Sequence, residues 1–138
     1  MRATAIAIVL LLPASGSAFA DAYSCRSLAG DPPVTLDFDL RYSSGTYAVT
    51  RAAFQIEDEI GYSTTAEHPQ DRATVTGIDA GAEEVRFSLH YAGVNYDADI
   101  ATVHVVTLAE GAHTLTAGVL HVVAGGLWPV QCDIAYEG

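Results

Sequence analysis

Lysine is absent from this chain. Its six basic residues are all arginine, against 17 aspartates and glutamates, for a formal charge of −11 over 138 residues. A phosphate-binding P-loop requires its lysine, and nucleic acids and anionic membranes require clustered positive charge. The first is excluded, and the acidic balance argues against the other two. Cysteine is limited to Cys25 and Cys132, and tryptophan to Trp128. Neither H-x-H nor H-E-x-x-H spacing occurs, which removes the usual zinc signatures. Nor does a G-x-S-x-G nucleophile elbow: Gly61-Tyr62-Ser63-Thr64-Thr65 lacks the second glycine. Beyond the first twenty residues no segment has the roughly 20 consecutive apolar residues that span a bilayer as a helix. The chain is nevertheless 50% hydrophobic, too apolar to stay disordered.

The N-terminus reads as an export leader. Arg2 supplies a positive start, Ala5 to Ala14 an apolar run of about ten residues, and Ala18-Phe19-Ala20 the small-x-small pattern of a cleavage site. Residues 1–20 are expected to be removed before Asp21, and Pro13 interrupts the run too early for a membrane anchor. The remaining 118 residues, 21–138, form one domain, with 5 arginines against 17 acids, or −12. The expected location is periplasmic or extracellular.

Export makes the two cysteines informative, because an oxidising compartment permits one intramolecular bond between them. A Cys25–Cys132 disulfide closes a loop of 106 intervening residues, worth about 4–5 kcal/mol in the chain-entropy model. The rival, lipid modification of Cys25, wants a branched aliphatic residue three places earlier, where Ala22 stands.

Alternation governs the rest of the chain. Val34, Leu36, Phe38, Leu40 and Tyr42 fall on one face of a strand, and Thr35, Asp37, Asp39 and Arg41 on the other. Ser43-Ser44-Gly45 then turns the chain. Val85 to Tyr91 and Trp128 to Tyr136 repeat the pattern, and Tyr47 to Ile56 keeps it with a change of phase around Arg51 that predicts a bulge. Ala98 to Leu108 and Leu115 to Val123 are apolar on both faces, as in strands covered on each side or at a subunit interface. Glu57 to Arg72, with five acids and Pro69, is expected to be a loop.

The predicted fold is all-β: a single-domain antiparallel β-sandwich or small β-barrel of about eight strands, its terminal strands linked by the disulfide. A disulfide needs Cα atoms within about 7 Å. Adjacent terminal strands favour a barrel, and a bond across the core favours a sandwich.

Three residues are candidates for ligand or partner contact. His104 and His121 lie in the doubly apolar strands and become neighbours if the hairpin between them is centred near residues 112–113. Trp128, after Gly125-Gly126 and before Pro129, either packs near the disulfide or stands at the mouth of a pocket. Pro129 predicts an edge or a strand start. Carboxylates at i, i+2 (Asp37/Asp39, Glu57/Glu59, Asp97/Asp99) share a strand face with Cβ atoms about 6.5–7 Å apart, a spacing open to calcium or acid–base work. Without a sign of a cleft, solvated surface is the simpler expectation. No catalytic residue, metal or cofactor is assigned.

Function is read from these features together. A compact acidic domain is steered toward cationic partners, so a non-catalytic binding or inhibitor module for a cationic or small partner is expected. The alternative is a small-molecule carrier with an apolar ligand in a barrel or between sheets. Tyr23-Ser24-Cys25 and Cys132 at the two ends are similar to the ends of the periplasmic inhibitors of c-type lysozyme, small disulfide-linked β-barrels. The S-G-x-x-Y segment of that family is represented only by Ser44-Gly45-Thr46-Tyr47, one residue short. The resemblance covers the ends alone and transfers no site.

Overall fold

The structure, a computed structural model, describes residues 19–28, 32–57, 60–123 and 125–137. Most of the expected leader, and Glu59 of one carboxylate pair, lie outside the described residues. The described chain forms nine strands: β1 (Phe19–Ser27), β2 (Val34–Ser43), β3 (Thr46–Ile56), β4 (Ile60–Ser63), β5 (Thr74–Ala80), β6 (Glu84–Ala92), β7 (Asp97–Glu110), β8 (His113–Val122) and β9 (Gly126–Glu137). All belong to one antiparallel sheet in the order β4-β3-β2-β1-β9-β8-β7-β6-β5. Every neighbour in that order is a neighbour in sequence, except that the first strand pairs with the last. The result is an up-and-down wall curled into a nearly closed barrel.

Nine is odd, so strands alternating around the wall arrive at the final seam running in the same direction. The one bridge there among the described residues is indeed parallel, Ser63 to Arg72, with the Ala73 N–H donating to the Ser63 carbonyl at 3.1 Å. Elsewhere the hairpin turns set the register. Ser44 (φ 54°) and Gly45 (φ 81°) both take the left-handed region between β2 and β3, as a two-residue hairpin matched to the sheet's twist requires. The bulge expected near Arg51 is present: Asp39 faces Arg51 and Leu40 faces Val49, so Thr50 is the extra residue.

The disulfide decides between sandwich and barrel. Cys25 and Cys132 are direct cross-strand partners in β1 and β9, Cα atoms 3.9 Å apart, with both side chains buried on the inner face. The bond therefore lies within the wall and not across the core. Side chains fill the interior. Tyr23 stacks on Phe38 (centroids 4.4 Å), and Phe38 meets Phe87 edge-on at 5.1 Å. Because β2 and β6 stand on opposite walls, that second contact spans the lumen. Leu36, Leu40, Leu89, Leu120, Val105 and Val130 pack around it, all buried, each stabilising the fold by about 1.5–3 kcal/mol.

Three expectations change. The segment 57–72 is not loop throughout, for it contains β4 and a single 3-10 turn at Pro69–Asp71. Tyr136, on the inward parity of β9, is 70% exposed because its stretch of β9 runs past the end of the ladder with β8. Pro129 lies inside the sheet, yet leaves the β8 ladder intact. Its carbonyl accepts from Leu28 N–H at 3.0 Å, so its missing donor points to where β1 has just ended.

Candidate functional site

The outer faces of β5 to β9 form a groove of about 680 Å³ whose walls include Arg86, His104, Val119, His121 and Leu127, with Ser88 and Thr102 on its floor. It results from strands that alternate between a buried inner row and an outer row which no described element covers. On β7 and β8 that outer row is largely apolar as well, leaving Leu108 (63% exposed) and Leu115 at the surface, joined by Leu127 (65% exposed) on β9. β7 and β8 are the strands expected to be covered on both sides; among the described residues they are covered on one. Gly118 lets β8 approach β7 closely, since a Cβ there would lie 2.0 Å from the His104 carbonyl oxygen.

His104 and His121 share this groove but are not register partners. The β7–β8 turn is centred on Gly111-Ala112, one residue earlier than expected, with Gly111 at φ 63°. His104 therefore faces Val119, and His121 faces Thr102. His104 Nε2 instead reaches Glu84 Oε2 at 2.5 Å, and Arg86 Nε donates to the same oxygen at 3.1 Å. The two hydrogen bonds, that from His104 above all, hold the Glu84 carboxyl below its usual range. Trp128 takes no part in the groove. It points inward at 7% exposure, plugs the barrel end beside Gly125 and Gly126, and donates its indole N–H to the Pro32 carbonyl at 3.2 Å.

A second polar arrangement lies at the start of β7. His90 Nδ1 meets Asp99 Oδ1 at 2.9 Å and Nε2 meets Asp97 Oδ1 at 2.5 Å. The predicted Asp97/Asp99 pair thus shares a face, and an imidazole bridges it. Hydrogen bonding to Asp99, then to Asp97, raises the His90 pKa, because only the doubly protonated ring donates to both carboxylates. Asp39, of the first pair, is held by Arg51 through two contacts at 3.1 and 3.2 Å. Among the described residues no group of three or more His, Cys, Asp and Glu is arranged to hold a metal ion.

The arginines are largely committed within the chain. Arg51 and Arg86 sit on carboxylates, Arg26 lies 3.8 Å from Asp133, and Arg72 donates to the Ala66 and Glu67 carbonyls. Glu67, Asp71, Asp79, Glu83 and Glu110 are exposed acids on the surface. No described helix is long and apolar enough to cross a membrane. Compared with protein-family models, curated proteins and solved structures, the chain matches none. Sequence reasoning missed Glu84 and Arg86 as partners of His104. Their outward alternation was visible, but the β6–β7 register that sets Arg86 opposite His104 is a tertiary fact.

Proposed function

We propose that the chain is an exported, acidic, non-catalytic binding or inhibitor-type domain for a cationic partner. The observation that carries this reading is the imbalance of charge at the surface. Arg26, Arg51 and Arg86 are each set against a carboxylate, while exposed acids stand around the barrel. A field of one sign steers opposite charges inward and repels like ones. The leader at residues 1–20 is part of the proposal, supported by a disulfide that an oxidising compartment maintains and by the absence of free cysteines among the described residues. Titration with a c-type lysozyme, a small cationic protein, is the first test. Binding at about 20 mM salt that weakens sharply by about 200 mM is expected, where the Debye length has shortened to roughly 7–8 Å. No binding at low salt overturns it.

The carrier reading has its support in the outer groove and not the lumen, which Phe38, Phe87 and their neighbours occupy. Leu127 and Val119 offer an apolar wall and the histidines polar anchors. Native mass spectrometry of protein from its own host would reveal a retained small molecule.

A further inference from the structure

Charge is unevenly placed along this chain. Of its 6 arginines and 17 acids, only Glu110 falls between residues 100 and 132. Those residues make up most of β7, all of β8 and the start of β9. Their outward side chains also have a definite relief. Leu108 and Leu115 are register partners at the hairpin end, both exposed, beyond the last β8–β9 pair at Thr116–Cys132. Two residues along the ladder Val106 faces Ala117, and two further His104 faces Val119 on the wall of the groove. That groove reaches from Gly77 on β5 to Leu127 on β9, so a wall that a closed barrel would make convex is hollowed here. The face protrudes at one end and is recessed at the other, each about 6.5 Å from the Val106–Ala117 row.

Such a surface is complementary to itself. Consider a two-fold axis lying between two facing sheets and crossing the strands at that row. It sets Leu108 and Leu115 of each copy over His104 and Val119 of the other, with the sheets about 10 Å apart. Glu110 then comes over the Thr102–His121 pair, whose hydroxyl and ring N–H groups donate to carboxylates. Charge selects the occupant. A cationic partner finds no field of acids on this face. Two copies at −11 each repel through their acidic faces, and here like meets like without burying a row of charges. At the border, the Glu84 carboxylate is already matched by Arg86. Across β6 to β9 at roughly 4.8 Å per strand, and from Thr102 to Leu108 at roughly 3.3 Å per residue, the face measures about 19 by 23 Å. That is the small end of specific interfaces, those burying less than about 1,200 Å² in total, so association at about 10–100 µM is expected.

We propose that the outer face of β7, β8 and the start of β9 is the interface of a two-fold homodimer, the Leu108–Leu115 pair of each copy seated in the groove of the other. This does not depend on the cationic-partner reading, and it gives the groove an occupant other than a carried ligand.

The test is sedimentation equilibrium of the purified protein from about 2 µM to about 200 µM, at about 20 mM and about 200 mM salt. The mean mass rises from monomer toward dimer over that range, and further at the higher salt, because screening removes repulsion between two acidic domains. Binding of a cationic protein moves the opposite way with salt, so failure of one reading leaves the other standing. Leu115→Glu and Leu127→Glu each place a carboxylate in the interface twice and weaken the dimer about tenfold or more. Val94→Glu adds the same charge at a fully exposed residue between β6 and β7 and changes the dimer less than about twofold. All three positions are exposed, so the variants do not threaten folding, and near-ultraviolet circular dichroism verifies each protein. A protein that stays monomeric throughout overturns the proposal, as does a dimer that weakens with salt. If a dimer forms but Leu115→Glu and Leu127→Glu weaken it no more than Val94→Glu, the contact lies elsewhere and this face is overturned.

Discussion

The barrel has two seams, and they are built differently. At β1/β9, where the ends of the chain meet, eight consecutive residue pairs run from Ala20–Glu137 to Ser27–Val130, with the disulfide at Cys25–Cys132 among them. At β4/β5 there is, among the described residues, one bridge, between the last residue of a four-residue strand and Arg72, two residues before β5. Entropy explains the contrast. β4 and β5 follow one another in sequence, so ten residues keep them together. β1 and β9 have the whole chain between them, and without a covalent tie their pairing closes the longest loop in the molecule. The bond sits at the seam that connectivity does not hold.

The largest effect that tests this contrast is removal of the bond. Cys25→Ala/Cys132→Ala is expected to lower stability by about 4–5 kcal/mol in urea unfolding. A loss under 1 kcal/mol would mean that the terminal strands hold each other unaided. Next are side chains behind each seam. Phe38→Ala, which removes the ring bridging the walls behind β1 and β2, is expected to cost about 3–5 kcal/mol. Ile60→Ala on β4, half-exposed, stays within about 0.5 kcal/mol. Doubling the 64–73 connection with Gly and Ser between Glu67 and His68 costs about 0.6 kcal/mol, the loop-length term alone. A much larger penalty would show that the β4/β5 seam is held more firmly than its one bridge indicates.

The smallest effect depends on pH. Thr74 pairs with His90, so the His90–Asp97–Asp99 bridge braces the wall beside the weak seam. Its raised pKa in the fold means that the stabilisation is fully present below the unfolded value of 6.5 and is lost as pH rises through the folded value. His90→Asn should therefore lie below the unaltered protein in melting temperature at pH 5.5, the gap closing above neutrality. A gap that widens with pH contradicts the assignment.

Much of this architecture is legible from residue order. The period-2 runs of β2, β6 and β9, the Ser43-Ser44-Gly45 turn, the bulge near Arg51 and the cysteine pairing all follow from local chemistry. What escaped depends on register or on weak signals. β4 has four residues, one of them Gly61, next to acids and an exposed edge, so its alternation is too short to read. The β7–β8 turn falls one residue early, which shifts the partner of His104 by two and replaces an expected histidine pair with Val119. Trp128 occurs in the most distinctive local sequence, and it proved to be an end plug of the core. Tyr136 reads as a core position from its parity; only the truncated β8–β9 ladder leaves its ring exposed in a cleft.

The unequal seams are tested most directly by native-state hydrogen exchange read residue by residue, before and after reduction of the disulfide. Amides of β1 and β9 should be among the slowest in the oxidised protein, and those of β4 and the start of β5 the fastest in the wall. On reduction, protection at β1/β9 should fall toward that of β4/β5. Equal protection at the two seams in the oxidised protein, or β1/β9 protection that reduction leaves untouched, would contradict the account.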